Sequence, residues 1–302
     1  MATKEITALI SGIKRMEIHD GNGLRTTVFF KGCPLKCVWC HNPESISYKP
    51  QTALFREKCV GCGSCVRVCS VGAVSNTSGK TVIDHEKCRS CFKCAEVCPV
   101  GALVGYGRAY TVDELLDEIT LDAPFFANGN GGVTLSGGEC LTQPEAVIEI
   151  ARRLHDMNIS VDIDTCGYVS REILERVARY ADTFLYDIKA VDRNVHHRCT
   201  GHDNDLILDN LRYLSENGCR IEVRFPLVVG LNDTETAKIA ELLSGMRGVI
   251  GVKVLRYHNL SASRYDALGM KNTLPAPLTT DADVESAMEI FKKQGVHVVN
   301  DI

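Results

Sequence analysis

Three cysteines near the amino terminus have a spacing that favours an iron–sulfur cluster with one open iron. Cys33, Cys37 and Cys40 follow a C-x3-C-x2-C pattern, with no further cysteine close by to complete the set, and Trp39 is placed to pack beside the cluster. Thiolates suit iron–sulfur clusters. A [4Fe–4S] cluster with three protein ligands leaves one iron free to bind a reactant, as catalytic metal sites require. The alternatives are a zinc site or core thiols.

Eight further cysteines form two runs with the spacing of bacterial two-cluster ferredoxins. Each run reads C-x2-C-x2-C-x3-C, and the second ends in Cys98-Pro99. In such ferredoxins the fourth cysteine of each run binds the other cluster. The resemblance implies two more [4Fe–4S] clusters that relay electrons. The alternatives are zinc sites, which interleaved runs disfavour, or clusters with a purely structural role. The implied ligand sets are Cys59, Cys62, Cys65 and Cys98, and Cys88, Cys91, Cys94 and Cys69.

The composition indicates a reducing compartment. The 302-residue chain has 15 cysteines and a formal net charge of −4, and four of the cysteines lie outside the clusters. No apolar stretch reaches the roughly 18 residues of a spanning helix, and residues 1–10 lack a signal-peptide pattern. We therefore expect a cytoplasmic, monomeric protein whose cysteines bind metal rather than form disulfides. With no basic run or face, we expect neither a nucleic-acid nor a membrane partner.

Strands and helices that alternate after residue 108 must position these groups. Apolar runs predict strands, and the periodic segments between them predict helices. Gln143 or Thr142 and Ser170 are candidate helix starts, and Gly218 follows a helix end. The predicted strands are Arg25–Lys31, Gly132–Ser136, Ser160–Asp164, Thr183–Ile188, Ile221–Val229 and Gly251–Tyr257, with Val296–Asn300 as a candidate addition. The predicted helices are Thr111–Ile119, Pro144–Met157, Arg171–Tyr180, Leu206–Asn217, Glu235–Met246 and Asp283–Gln294.

This alternation predicts an α/β fold with a parallel sheet. About six units are too few for a closed eight-stranded barrel, so an open, partial (β/α)6 barrel or a doubly wound sheet fits. In barrels the chemistry lies at the carboxyl ends of the strands, and Asp164, Asp187, Lys189 and His258 lie where apolar runs end. We expect residues 1–50 and 108–302 to form the barrel and residues 51–107 to form a ferredoxin-like insert.

Two motifs together resemble the signatures of the radical SAM superfamily. C-x3-C-x-aromatic-C is the first, and Ser136-Gly137-Gly138-Glu139 resembles the GGE motif that binds the amino group of S-adenosylmethionine. Glycine allows close backbone approach, and Glu139 can accept a hydrogen bond from an ammonium. The resemblance implies that S-adenosylmethionine chelates the open iron, and that an electron from the cluster releases methionine and a 5′-deoxyadenosyl radical. Proline is common in relatives where this chain has Cys140, which we interpret as a non-ligand.

Further motifs resemble the activating enzymes of glycyl radical enzymes. Asp20–Arg25 resembles their D-G-x-G-x-R element, and Asp164-Thr165-Cys166-Gly167 their D-T-x-G element. Singly, such turns, strand-end aspartates or a lone arginine or histidine are more often structural, but their order favours the family. The resemblance implies a monovalent cation near Asp164, Thr165 and Asp187. The implied cofactor contacts are Trp39, His41, Asn42, Gly137, Gly138, Glu139, Asp164, Thr165, Asp187, Ile188, Lys189, Arg224 and His258.

The resemblance implies an oxidoreductase that acts on another protein. Cys33, Cys37 and Cys40 would be the catalytic set, and the radical would remove a hydrogen from the Cα of a glycine in a partner glycyl radical enzyme. Flavodoxin or ferredoxin would supply electrons. The insert indicates the subgroup that serves dehydratases, decarboxylases, C–N and C–S lyases and arylsuccinate synthases. The alternatives are a radical SAM enzyme acting on another peptide or a small molecule, and a non-catalytic electron-transfer protein.

Overall fold

The computed structural model describes residues 5–299. Among these residues, no helix is long and apolar enough to cross a membrane. The strands are β1 (Thr7–Glu17), β2 (Arg25–Phe30), β3 (Gln51–Leu54), β4 (Val74–Thr77), β5 (Lys80–Ile83), β6 (Leu103–Tyr106), β7 (Arg108–Thr111), β8 (Gly132–Gly137), β9 (Ser160–Thr165), β10 (Thr183–Asp187), β11 (Ile221–Leu227) and β12 (Val249–Arg256). The α-helices are α1 (Ser64–Val68), α2 (Lys93–Glu96), α3 (Val112–Thr120), α4 (Ala123–Gly129), α5 (Pro144–Asp156), α6 (Arg171–Val177), α7 (Arg193–Thr200), α8 (Asp205–Glu216), α9 (Thr236–Leu243), α10 (Ala262–Ala267) and α11 (Asp281–Lys293). Short 3-10 helices cover Pro43–Ser45, Arg56–Lys58, Cys140–Thr142 and Asp233–Glu235.

The large sheet has the strand order of a partial barrel. Its eight strands lie in the order β12-β11-β10-β9-β8-β2-β1-β7, and the six strands from β12 to β2 are all parallel. A doubly wound sheet reverses its strand order at a switch point, whereas these six strands follow chain order. β1 and β7 add antiparallel strands beyond β2. The sheet therefore supports the predicted partial (β/α)6 barrel over the doubly wound alternative.

Most predicted elements are confirmed, and the structure adds strands and helices that the sequence pattern does not predict. All six predicted parallel strands form, with ends shifted by at most two residues. Strands β1 and β7 and helix α7 were not predicted, because each has too few alternating or periodic apolar residues to stand out. Within the predicted segment Val296–Asn300, Val298 makes one parallel bridge to Val252, and Asn300 lies outside the described residues. Ser170 does precede α6, but its side chain makes no capping hydrogen bond.

The helices cover the outer face of the sheet with apolar stripes. In α5, Ala146, Val147, Ile150, Ala151 and Leu154 are buried at the spacing of one helical face. They belong to one large core with the outward-facing residues of the strands. Full burial of a side chain such as Ile150 contributes roughly 1.5–3 kcal/mol. This packing holds the strand ends, and the polar side chains that they carry, in place.

The inner face of the sheet is polar, as alternation along the strands requires. In β9, Val161 and Ile163 enter the outer core, so Asp162 and Asp164 point to the opposite face. Arg25, the first residue of β2, is 1% exposed and lies 3.3 Å from Asp162 through Nη2. A Cβ at Gly21 would lie 2.3 Å from Oδ2 of Asp162. The Asp20–Arg25 element thus closes the amino-terminal end of the barrel.

Residues 51–107 form a small unit against the carboxyl end of the barrel. β3 pairs with β6, and β4 pairs with β5, in two antiparallel two-stranded sheets. One face of the β3–β6 sheet carries Leu54 and Leu103 into a satellite core that includes cysteines of both runs. The other face packs Ala53 against Ala267 and Leu268, at the end of α10. The sheet therefore lies between this satellite core and the end of α10.

Candidate active site

A cavity of about 300 Å3 lies at the carboxyl ends of the parallel strands, a volume within the usual range for small-ligand sites. Thirteen of the sixteen residues predicted around the first cluster line it; Glu139, Ile188 and His258 do not. Sequence reasoning missed Asp20, Ser136, Cys166, Leu255 and Tyr257, which also line it. The thirteen are Cys33, Cys37, Trp39, Cys40, His41, Asn42, Gly137, Gly138, Asp164, Thr165, Asp187, Lys189 and Arg224.

The cysteine loop after β2 is held by backbone hydrogen bonds to two other segments. The amide of Cys33 donates to the carbonyl of Ile46 at 3.1 Å, and the amide of Val38 donates to the carbonyl of Cys199 at 3.0 Å. Cys199 is near the end of α7, so this unpredicted helix forms one support of the loop. Burial raises the pKa of the Cys40 thiol to about 12. A bound metal would favour the thiolate there, so the donor set fits a metal cluster.

Two glycines at the end of β8 allow the cysteine loop to approach the sheet. Gly137 has φ of +127°, and a Cβ there would lie 2.2 Å from the amide nitrogen of Phe30. A Cβ at Gly138 would lie 2.4 Å from the carbonyl oxygen of Ser45 and 2.9 Å from Cβ of Cys33. Any other residue at either position would therefore displace the loop that carries the cysteines.

Glu139 lies behind the cavity wall, and protein donors occupy its carboxylate. The hydroxyl of Thr165 is 2.9 Å from both carboxylate oxygens, and the amide of Cys166 donates to Oε2 at 2.8 Å. The amide of Leu141 donates to Oε1 at 3.1 Å. Burial raises the pKa of Glu139, and the hydrogen bonds oppose that rise. The observed contacts tie the end of β8 to the end of β9, whereas the expected contact with an ammonium stays a prediction.

Two carboxylates face the cavity from neighbouring strand ends. Asp164 accepts a hydrogen bond from the Ser136 hydroxyl at 2.5 Å, and Asp187 accepts one from Nζ of Lys189 at 2.8 Å. Burial raises the pKa of Asp164 to about 7, Arg224 opposes the rise, and the charge of Asp187 adds to it. Lys189 is buried, and burial by itself would lower its pKa. The neighbouring carboxylate of Asp187 outweighs this effect, so the pKa of Lys189 is raised. The pair of carboxylates is suited to binding a cation.

Arg224 joins the middle of β11 to the Asp20–Arg25 element and the residue before it. Its Nη2 donates to the carbonyl of His19 at 3.0 Å, and Nη1 lies 3.4 Å from Oδ1 of Asp20 and 3.8 Å from Oδ2 of Asp164. Nε lies 3.7 Å from Oε1 of Glu222. These contacts place one guanidinium among three carboxylates, so Arg224 balances charge on the cavity floor as well as lining it.

The two predicted histidines stack, but only His41 lines the cavity. Their ring centroids are 4.2 Å apart, and Nε2 of His41 lies 2.9 Å from the carbonyl oxygen of His258. Burial, with a contribution from His258, lowers the pKa of His41 to about 4, so the ring is neutral at pH 7. His258 acts on the cavity through His41. Ile188 is 1% exposed and packs in the core of the barrel.

The insert brings together cysteines from both runs. Cys59, Cys62 and Cys65 of the first run line a small cavity together with Cys98 of the second. Among residues 5–299, no group of three or more His, Cys, Asp or Glu side chains is close enough to hold a single metal ion. A [4Fe–4S] cluster does not require ligands that converge on one ion, since each cysteine binds a different iron of the cluster.

Comparisons with known proteins agree with the geometry of the site. The model of the radical SAM superfamily matches residues 27–243. The trans-4-hydroxy-L-proline dehydratase activating enzyme of Clostridioides difficile is 45% identical over 87% of this chain and 88% of its own length. The choline trimethylamine-lyase activating enzyme of Oleidesulfovibrio alaskensis is 40% identical over 96% of each chain.

One solved structure shares the fold at low identity. Streptococcus suis SuiB bound to precursor peptide SuiA aligns with a TM-score of 0.54 and 11% identity, over 88% of this chain and 45% of that chain. This likeness concerns the fold alone. The family model and the close relatives confirm the resemblance drawn from the motifs. The chain therefore belongs to the radical SAM superfamily and, within it, to the activating enzymes of glycyl radical enzymes.

Proposed function

We propose that this chain cleaves S-adenosylmethionine at a cluster held by Cys33, Cys37 and Cys40 and thereby activates a glycyl radical enzyme. The observation that carries the proposal is the meeting of the three cysteines with Gly137 and Gly138 on the wall of one cavity. When bound, the cluster and S-adenosylmethionine supply the electron and the 5′-deoxyadenosyl radical that removes a hydrogen from a glycine Cα. The protein itself positions the reactants and excludes water.

The polar side chains of the cavity would orient S-adenosylmethionine. Asp164 and the exposed backbone at Gly137 and Gly138 suit its ammonium group, and Lys189 and Arg224 suit its carboxylate. A monovalent cation beside Asp164 and Asp187 would reduce the repulsion between these carboxylates and that of the ligand. Lys189 already supplies one positive charge there, since its Nζ lies 2.8 Å from Oδ2 of Asp187.

The insert would hold two further [4Fe–4S] clusters in a ferredoxin-like unit formed by residues 51–107. The small cavity shared by Cys59, Cys62, Cys65 and Cys98 supports the exchange of the fourth cysteine between the runs. These clusters would relay electrons from a flavodoxin or ferredoxin. The separate satellite core of the insert supports this division of the chain. A monomeric state and a cytoplasmic location stay predictions.

The first candidate partners are glycyl radical enzymes of the kinds named by the relatives. These names include a hydroxyproline dehydratase and a choline trimethylamine-lyase. The glycine would enter the cavity from the open side of the incomplete barrel, between β12 and β7. An enzyme acting on a small molecule or another peptide is the weaker candidate, because both relatives named above are activating enzymes.

The proposed function is tested by anaerobic reconstitution of the clusters, followed by addition of dithionite and S-adenosylmethionine. We expect 5′-deoxyadenosine from the wild type and none from C33A, C37A or C40A. Cys219, which lies outside the cavity and the insert, provides the matched control, and C219A should retain activity. A glycyl radical signal in electron spin resonance should appear when the correct partner is added. Formation of no 5′-deoxyadenosine by the wild type would refute the proposal.

A further inference from the structure

The two ends of the β3–β6 sheet lie at different distances from the cavity of the barrel. We call the nearer one the inner end and the other one the outer end. Gln51 pairs with Tyr106 at one end of the ladder, and Leu54 pairs with Leu103 at the other. Nζ of Lys31 donates to the side-chain oxygen of Gln51 at 2.9 Å. Lys31 stands two residues before Cys33, so the Gln51 end faces the cavity of the barrel.

The two predicted cluster sites lie beside different positions along strands β3 and β6. Sγ of Cys88 lies 3.8 Å from Oγ1 of Thr52, next to the inner end. The site formed by Cys59, Cys62, Cys65 and Cys98 shares its small cavity with Leu54 and Leu103, at the outer end. Two residues along a strand correspond to about 7 Å. The site that includes Cys88 is therefore the inner one, nearer to the barrel.

Contacts with α10 agree with this order. His85, three residues before Cys88, lies against Gly269 beyond the end of α10, where an added Cβ would lie 2.8 Å from the imidazole ring. On the outer side, Sγ of Cys59 lies 3.3 Å from Oγ1 of Thr81 in the β4–β5 hairpin. The first run therefore contacts the β4–β5 hairpin, and the segment just before the second run contacts the end of α10.

The surface around the outer site exposes apolar side chains, and we call Val60, Cys62, Arg67 and Val100 the outer face. Val60 is 65% exposed and Val100 is 41% exposed, and both line the small cavity with Cys62. Arg67 is exposed, and its Nη2 donates to the hydroxyl of Ser64, which lies 3.5 Å from Sγ of Cys62.

The surface around the inner site has different side chains from the outer face, although the two cysteine runs have the same spacing. Arg89 takes the place of Val60, directly after the first cysteine of its run, and Val71 takes the place of Val100. Val71 is half-buried, whereas Val100 is exposed. An exposed apolar patch beside an exposed ligand cysteine is thus found at the outer site. Apolar side chains at the centre and polar side chains at the rim are usual in interfaces with other proteins.

The charge of the insert indicates what would dock there. Residues 51–107 contain seven Lys and Arg side chains against four Asp and Glu, a formal balance of +3 in a chain of −4. The remainder of the chain therefore carries −7. An acidic protein would be steered toward the insert and away from the rest of the surface. Arg67 and the apolar pair Val60 and Val100 supply the charged rim and the apolar centre of a small interface.

We propose that the outer face is the docking surface for a small acidic electron-carrier protein of the flavodoxin type. The carrier is oxidised by one electron, and this chain is reduced by one electron at the Cys59, Cys62, Cys65 and Cys98 site. The proposal rests on the proposed function, because it takes the insert cysteines as cluster ligands. It adds where electrons enter and which of the two sites receives them.

A pair of charge-reversal variants tests the proposal on the fully reconstituted protein. R67E alters the outer face, and R89E makes the same change of charge beside the inner site. Oxidation of fully reduced flavodoxin is followed by flavin absorbance in a stopped-flow instrument at low salt. For each variant, this rate is divided by the rate of cluster reduction with dithionite, which corrects for cluster content. Iron and sulfide analysis serves as a further check.

We expect R67E to lower the flavodoxin rate by about tenfold and R89E by no more than about twofold. The wild-type rate should fall as salt is raised. An effect of R89E that equals or exceeds that of R67E, or no effect of either, would overturn the proposal. Formation of 5′-deoxyadenosine by the wild type with dithionite is measured separately. Its failure would refute the proposed function, whereas the flavodoxin rates report on the docking surface alone.

Discussion

The carboxylate of Glu139 lies 2.9 Å from the hydroxyl of Thr165 through each of its two oxygens. Glu139 lies two residues beyond the end of β8 and Thr165 ends β9, so this contact fixes the relative position of two strand ends that face one cavity. The glutamate of the GGE motif in this chain therefore acts on the site by holding Thr165 and the amide of Cys166. A direct contact with S-adenosylmethionine would require this side chain, which is 1% exposed, to become accessible from the cavity.

The substitution E139Q tests this role. Glutamine keeps the shape but removes one acceptor, so a buried amide or hydroxyl loses its partner at a cost of about 1–3 kcal/mol. We expect a lower free energy of unfolding in urea, together with weaker binding of S-adenosylmethionine by calorimetry. A variant with wild-type stability and weaker binding would indicate instead that Glu139 contacts the ligand directly.

The substitution G138A should displace the cysteine loop. A Cβ at Gly138 would lie 2.4 Å from the Ser45 carbonyl oxygen and 2.9 Å from Cβ of Cys33, so the backbone of the loop must move. We expect loss of iron from the Cys33 site and a fall in 5′-deoxyadenosine formation of about 100-fold or more, since small displacements in an active site have large effects.

Gly245 provides the matched control for G138A. An added Cβ there has no atom within 4 Å, and no positive φ is found at this position. G245A should retain the iron content and the activity of the wild type. Equal activity of G138A and G245A would show that the loop does not depend on the close approach.

Binding of S-adenosylmethionine should depend on the ionisation of Asp164. Because burial raises the pKa of this carboxyl to about 7, the protonated form dominates below pH 7 and the carboxylate dominates above it. The carboxylate is the form that binds an ammonium or a cation. Calorimetry should therefore show affinity that falls as pH drops through 7, by up to about tenfold per unit. D164N should bind more weakly and lose this dependence; an unchanged pH profile in D164N would assign it to another group.

Removal of Arg25 should destabilise the barrel. Arg25 and Asp162 are both nearly fully buried and lie 3.3 Å apart. Loss of one partner leaves a buried charge uncompensated, which costs about 3–5 kcal/mol. We expect R25M to lower the free energy of unfolding in urea by that amount. The double variant R25M/D162N should regain part of it, whereas additive losses in the double-mutant cycle would show that the two side chains are not coupled.

Several features of the site could be predicted from the sequence because they depend on local spacing. The cysteines of the loop after β2, the glycines at the end of β8 and the aspartates at strand ends are all short-range patterns. The order of these patterns along the chain was specific enough to indicate the family, which the relatives confirm. The six parallel strands were predictable for the same reason, since each is a short run in which apolar residues are continuous or alternate with polar ones.

Other features depend on residues that are distant in the chain. The sequence motif predicts that Glu139 contacts a ligand. Only the tertiary structure shows that Thr165 and the amide of Cys166 hydrogen-bond to its carboxylate. His41 and His258 stack although 217 positions separate them, and α7 supports the cysteine loop through Cys199. By itself the sequence determined which residue types are available and in what order. The tertiary structure decided which of them face the cavity, because burial and hydrogen-bond partners are set by contacts between strand ends and loops.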